Sequence, residues 1–293
     1  MLDDRQWADL VETRVFHPER VEEAAAARSR PKRRTAEDGR LVLIAADHPA
    51  RGALRAGPDR MAMSDRRDLL GRLCVALARP GVDGVLGTAD VIDDLLLLGA
   101  LEDKVVIGSM NRGGLAGTSF EIDDRFTGCS ADEIERAGWQ GGKMLFRIDP
   151  DDPATASTME ACGRAVAELA ERGLMSMVEP FISRRIDGRV SNDLSTDAVV
   201  RSCTVAAGLG GNSAHLWLKL PVVEGMAEVL AATSLPVLLL GGPVSSHQAK
   251  TFETWRAALE HPTARGLVAG RTLLFPPDGD VASAVDSAVS LVR

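Results

Sequence analysis

Eight short apolar runs recur after residue 40, each separated from the next by an amphipathic or polar stretch. They are LVLIAAD (41–47), DGVLG (83–87), KVVIGSM (104–110), KMLFRID (143–149), LMSMVEP (174–180), AHLWLKL (214–220), PVLLLGG (236–242) and GLVAG (266–270). Helical stretches such as RRDLLGRLCVALAR (66–79), ATASTMEACGRAVAELAERG (154–173), TDAVVRSCTVAAGLG (196–210) and SHQAKTFETWRAALE (246–260) lie between them. Strands alternating with helices pair in parallel through right-handed crossovers, and Gly and Pro mark most of the junctions. Eight such units predict an α/β chain closed into a (β/α)8 barrel over residues 41–293. The rival is an open doubly wound sheet, which would carry G-x-G-x-x-G after its first strand; here that run ends in Asp47-His48-Pro49. Residues 1–40 read as an N-terminal helical extension, WADLVETRV and PERVEEAAAARSR, closed by the basic linker SRPKRR (29–34) and Asp38-Gly39.

Composition narrows the partners. The chain has 293 residues, 45% of them hydrophobic, which suits one barrel plus an extension. A net charge of −8 argues against nucleic acid, and the basic linker, flanked by acidic helices, reads as a solvated segment. No apolar run approaches the roughly 18 residues of a membrane helix, and the acidic N-terminus lacks a signal-peptide core. A cytoplasmic protein without membrane partners is expected. Cys74, Cys129, Cys162 and Cys203 form no C-x-x-C pair and read as reduced core residues. Tyrosine is absent, which removes one common acid/base group.

In this fold the chemistry sits at the C-terminal ends of the strands. Side chains alternate along a strand, so Lys219 shares a face with Trp217 and His215, while Leu216, Leu218 and Leu220 face the helices. A lysine between apolar walls has its ammonium form disfavoured, and a nearby cation lowers its pKa further. The neutral amine can attack a carbonyl and form a Schiff base. The structural alternative is that Lys219 reaches solvent or pairs with Glu179. Glu179 shares a face with Met175 and Met177, one strand away. That wall, with Trp217, is expected to raise its pKa toward neutrality, as acid/base work requires. Asp47 reaches the same rim from the first strand, and Lys143 and Arg147 share the inner face of the fourth, with Arg147 near the mouth.

The last two strands carry a second signal. Gly241-Gly242 and Gly270-Arg271 sit at their tops, where backbone N–H groups can approach a phosphate and Arg271 can add charge. The alternative is that these glycines only form turns, with Arg271 on the outer surface. Metal-dependent chemistry needs several converging ligands. Of His17, His48, His215, His247 and His261, only His48 and His215 are placed to reach the mouth. A site from Asp47, His48 and Glu179 is the remaining option; no metal or other cofactor is expected.

The order of Asp-His after the first strand, lysine in the sixth, Gly-Gly-Pro after the seventh and "AGR" after the eighth resembles the class I aldolase superfamily of (β/α)8 barrels. The chain is similar to archaeal-type fructose-bisphosphate, tagatose-bisphosphate and deoxyribose-phosphate aldolases. It most resembles the deoxyribose-phosphate-aldolase-like barrels associated with actinobacterial myo-inositol catabolism. The resemblance covers residues 41–293. It implies that Lys219 in LWLKLPV is the Schiff-base lysine, that Glu179 in VEPF and Lys143 in GGKMLFRID match the tagatose-bisphosphate group, and that Asp47 in AADH matches the archaeal-type aspartate. Gly241, Gly242, Gly270 and Arg271 match the phosphate-site segments. The archaeal-type enzymes use a tyrosine in the fifth strand as proton donor; here Phe181 stands nearby, and Glu179 must take over. The loop PARGALRAGPDRMAMSD and the arm NRGGLAGTSFEIDDRFTG (111–128) look particular to this subgroup, making Arg51, Asn111 and Arg112 candidates for substrate selectivity beside Arg147. The implied activity is metal-independent cleavage of a phosphorylated keto sugar by a homo-oligomer. The favoured substrate is 2-deoxy-5-keto-gluconate 6-phosphate, split to dihydroxyacetone phosphate and malonic semialdehyde. Deoxyribose phosphate or a ketose bisphosphate comes next. A non-catalytic sugar-phosphate-binding barrel is the reading from another class, suggested by the missing tyrosine.

Overall fold

A computed structural model of the chain describes residues 2–33, 35–242, 244 and 248–293. Arg34 of the basic linker, Pro243 of the Gly-Gly-Pro segment, and Ser246 and His247 at the start of the expected 246–260 helix lie outside the described residues.

All eight apolar runs form strands. They are β1 (Leu41–Ala45), β2 (Gly84–Gly87), β3 (Val105–Ser109), β4 (Gly141–Ile148), β5 (Met175–Ile186), β7 (Leu216–Leu220), β8 (Val237–Leu240) and β9 (Ala264–Ala269). Each pairs in parallel with the next, β4 with β5 and β5 with β7, and β9 returns to β1. The barrel is closed. Closure removes the exposed edges that an open sheet would leave. Two strand glycines are required by this packing. A Cβ on Gly84 would lie 1.9 Å from the Val105 carbonyl oxygen, and one on Gly266 1.8 Å from that of Leu41.

The helices are α1 (Asp4–Phe16), α2 (Arg20–Ala27), α3 (Arg66–Leu77), α4 (Ala89–Leu97), α5 (Ala131–Arg136) and α6 (Ala154–Glu171). After them come α7 (Thr196–Ala207), α8 (Met226–Ala231), α9 (Gln248–Leu259), α10 (Arg271–Leu274) and α11 (Val281–Val292). Strand alternation sorts the core into two layers. Leu216, Leu218 and Leu220 pack outward with the helices, whereas Leu41, Leu43, Met175, Met177 and Leu238 fill the barrel beside Trp217. None of the described helices is long and apolar enough to cross a membrane.

The extension is clamped to the barrel away from the mouth. The buried Arg28 donates to the carbonyls of Leu101 (3.3 Å), Lys104 (3.1 Å) and Gly138 (3.1 Å), which precede β3 and β4. Arg14 on α1 holds Asp94 on α4 at 2.6 Å. A ninth strand, β6 (Arg189–Asn192), was not anticipated; it pairs antiparallel with the far end of β5, Ser183 opposite Asn192. The turn between them has positive φ at both Asp187 (49°) and Gly188 (77°). An Asp-Gly pair between strand-like residues is a hairpin signal, and IDGRV carried it. The hairpin stands above the barrel and borders its mouth through Asn192 and Leu194.

Candidate active site

The strand register brings four charged side chains together at the mouth. Leu145 lies opposite Glu179, Lys143 opposite Met177, and Met177 opposite Trp217. Glu179 is two residues beyond Met177 and Lys219 two beyond Trp217, so both point inward in one layer. Lys143 starts one layer deeper, and its long side chain rises between the carboxylates. Lys219 Nζ is 3.0 Å from Glu179 Oε1; Glu179 Oε2 is 2.5 Å from Lys143 Nζ; Lys143 Nζ is 3.1 Å from Asp47 Oδ2. Arg112 Nη1 donates to the same Asp47 oxygen at 3.1 Å and its Nη2 to the Asp47 backbone carbonyl, while Ser109 Oγ donates to Oδ2 at 3.3 Å. Lys219 is 4% exposed and Lys143 2%. The result is an alternating chain of charge, lysine–glutamate–lysine–aspartate–arginine, in a cavity of about 480 Å³.

These neighbours decide the ionisation. Burial works to raise the Glu179 carboxyl, but Lys143 and Lys219 outweigh it and bring the pKa down to about 2. The expected rise toward neutrality is therefore overturned. The apolar wall of Met175, Met177 and Trp217 is present, yet two ammonium groups at contact distance dominate it. Asp47 behaves alike: burial opposes ionisation, and Lys143 and Arg112 hold it well below the usual carboxylate range. Lys143 itself is lowered by burial, against the pull of Asp47 and Glu179. Both carboxyl groups are carboxylates at neutral pH.

His48 lines the cavity with its Nδ1 3.8 Å from Asp47 Oδ1. Burial pushes its pKa down to about 3 despite Asp47, so the imidazole is neutral and that approach is not an ion pair. Its Nδ1 finds no hydrogen-bond partner among the described residues. His215 precedes β7 and so lies at the opposite end of the barrel, where its carbonyl accepts from the Ser176 N–H at 2.9 Å. It does not reach the mouth. Among the described residues no group of three His, Cys, Asp or Glu side chains is arranged to hold a metal ion. In the Asp47–His48–Glu179 option, Lys143 stands between the two carboxylates.

Gly241, Gly242, Gly270 and Arg271 meet on the β8–β9 side of the same cavity. Thr272 Oγ1 donates to the Gly241 carbonyl at 2.8 Å and ties the two segments. A Cβ on Gly270 would lie 2.3 Å from the Ala45 carbonyl oxygen, so only glycine fits there. Gly242 has φ 65° with open space above it. Among the described residues Arg271 reaches one acceptor, the Arg55 carbonyl at 3.4 Å, and its buried Nε reaches none.

The selectivity candidates divide. Arg51, Arg112 and Arg147 line the cavity, but Asn111 does not. Asn111 is 0% exposed and its amide is spent on β4: Nδ2 donates to the Leu145 carbonyl at 2.5 Å and Oδ1 accepts the Leu145 N–H at 2.8 Å. It anchors the arm instead of facing a substrate. Two arm residues were missed, Glu121 and Asp124, which hold Arg147 at 2.9 Å and Arg51 at 2.6 Å. The one hint in the sequence was an excess of inward-facing cations that needed counter-charges.

A family model described as Cgl0159-like matches residues 39–289. The chain belongs to this family. The crystal structure of Cgl0159 from Corynebacterium glutamicum is 50% identical, with 100% of this chain and 98% of that chain covered and a TM-score of 0.97. A Schiff-base-forming fructose-1,6-bisphosphate aldolase is 20% identical, covering 93% of this chain and 100% of that chain at a TM-score of 0.66. An archaeal fructose-1,6-bisphosphate aldolase, solved with its catalytic lysine covalently bound to the carbinolamine intermediate, is 18% identical, covering 93% and 99% at 0.65. At these identities the two aldolases show the fold: a (β/α)8 barrel. No curated protein matches the sequence.

Proposed function

We propose that the protein is a class I aldolase that captures the carbonyl of a phosphorylated keto sugar on Lys219 and cleaves the neighbouring carbon–carbon bond without a metal. One observation carries the reading: a lysine buried at the barrel mouth stands 3.0 Å from a carboxylate that a second lysine keeps ionised. The shared barrel and the motif order of the sequence support it. Fold alone does not, because this barrel hosts many chemistries.

The chemistry follows from the charge chain. Lys219 Nζ passes a proton to Glu179 Oε1 and attacks the carbonyl carbon. The nitrogen gives one of its protons to the former carbonyl oxygen, Glu179 returns the second, and the oxygen leaves as water while the nitrogen lone pair closes the iminium. That cation withdraws the electron pair of the adjacent carbon–carbon bond while a carboxylate removes the proton of the hydroxyl on the departing carbon. The aldehyde leaves, the enamine is protonated on carbon, and water frees the ketone from Lys219. Glu179 is assigned the proton steps because it touches the amine directly; its pKa of about 2 belongs to the site with both lysines charged, and loss of the Lys219 ammonium charge in the attacking amine raises it. Asp47, one lysine further away, is the reserve.

Lys219 is on β7, which pairs with β8, and β8 pairs with β9; Gly241, Gly242, Gly270 and Arg271 at the ends of β8 and β9 form the proposed phosphate seat. A ketone one carbon from the phosphate-bearing carbon fits that adjacency. 2-Deoxy-5-keto-gluconate 6-phosphate has this arrangement and would leave dihydroxyacetone phosphate on the lysine and release malonic semialdehyde; it is the substrate we favour. Borohydride with dihydroxyacetone phosphate should add mass to the peptide holding Lys219, and Lys219→Ala should abolish both the adduct and turnover. An adduct on Lys143 instead would reverse the roles of the two lysines.

A further inference from the structure

The cations of the mouth are unequally neutralised. Six line the cavity: Arg51, Arg112, Lys143, Arg147, Lys219 and Arg271. Four carboxylates partner them, Asp47 and Glu179 from the strands and Glu121 and Asp124 from the arm. In the closed ring, β4 lies diametrically opposite β9. Arg271 on the β9 side has no carboxylate partner among the described residues, whereas Arg147 and Arg51 on the far side each have one of their own. The free positive charge is thus gathered at one pole, beside Lys219.

The arm carboxylates are fixed where they stand. Glu121 is 6% exposed; its Oε1 takes Arg147 at 2.9 Å and its Oε2 accepts the Gly117 N–H at 2.7 Å. Asp124 is 3% exposed, with Oδ2 on Arg51 at 2.6 Å and Oδ1 accepting the Gly114 N–H at 2.9 Å. Arg185 on β5 grips the arm from outside, donating to the Ser119 carbonyl at 2.9 Å, and Thr158 Oγ1 on α6 donates to the Ile122 carbonyl at 3.0 Å. A phosphate arriving on this side meets guanidinium groups that are already neutralised, with carboxylates close behind them. Like charges brought together out of water repel strongly.

We propose that Glu121, with Asp124, is a specificity determinant: a built-in counter-anion on the β4 side of the mouth that disfavours a second phosphate, so that the site takes singly phosphorylated sugars in preference to bisphosphates. The proposal rests on the aldolase reading for its substrate class. Glu121 acts through Arg147 and touches no reacting atom.

The test compares two probes, dihydroxyacetone phosphate and fructose 1,6-bisphosphate, by calorimetric titration of wild type, Glu121→Gln and Asp124→Asn, with borohydride trapping in parallel. Wild type should bind the bisphosphate no tighter than the monophosphate. Glu121→Gln leaves Arg147 in need of an anion, so it should gain about tenfold or more for the bisphosphate and stay within about threefold for the monophosphate. Its melting temperature should also rise more with bisphosphate than that of wild type. A wild type that binds the bisphosphate tighter than the monophosphate, or a binding ratio unmoved in both variants, overturns the proposal, as does failure of wild type to bind either probe. If Glu121→Gln does not fold, Asp124→Asn and the wild-type ratio decide. Absence of a borohydride adduct, with the binding ratios as expected, rejects the Schiff base and leaves the charge argument standing.

Discussion

Lys143→Met keeps length and apolar volume while removing the ammonium that stands between Asp47 and Glu179. The Glu179 carboxyl is ordinarily near 4.5 and here is about 2. At about 1.36 kcal/mol per unit, that depression corresponds to ~3 kcal/mol of stability, shared between Lys143 and Lys219. Burying the ammonium costs energy in turn, as the lowered pKa of Lys143 records, so the intact chain contributes less than its carboxylate half alone. Removing one partner is a different matter, because two buried carboxylates then face each other with fewer cations. That loss is about 3–5 kcal/mol at pH 7. The pH dependence has a definite sign. A depressed carboxyl stabilises the fold above its unfolded pKa, and that contribution fades as pH falls through 4.5 toward about 2. The stability gap between wild type and Lys143→Met should therefore be widest at neutral pH and narrow below about pH 4.5. Urea unfolding at a series of pH values measures it. A gap under about 1 kcal/mol at pH 7, or one that does not change on acidification, would refute the claim that Lys143 sets the charge of both carboxylates.

Two further outcomes bear on the chemistry. Glu179→Gln should still form the borohydride adduct, more slowly because the acceptor of the Lys219 proton is gone, while carbon–carbon cleavage falls about 10²–10⁴-fold; near wild-type turnover beside a dead Asp47→Asn would assign the proton steps to Asp47. Full activity should survive exhaustive EDTA treatment, and a loss that zinc or cobalt restores would replace the Schiff base with a metal mechanism.

Parity along a strand made much of the site legible, and register made the rest invisible. Alternation alone placed Lys219, Glu179 and Lys143 on inner faces, because period two is a property of one strand. Their charge states depend on pairings between strands, Lys143 with Met177 and Met177 with Trp217, which bring Lys143 within 2.5 Å of Glu179. Burial pointed to a raised glutamate pKa; the contact reversed the sign. The arm shows the same limit in stronger form. Residues 111–128 have no periodicity, so nothing in their order separates Asn111, which binds the β4 backbone, from Arg112, which reaches Asp47. Glu121 and Asp124 were equally silent. A count of charges could have exposed them: a barrel interior with six inward cations and two strand-borne carboxylates requires further anions from whichever loop folds over it. The 111–128 arm supplies two, on the side away from Arg271, and that placement decides where a substrate's negative charge can go.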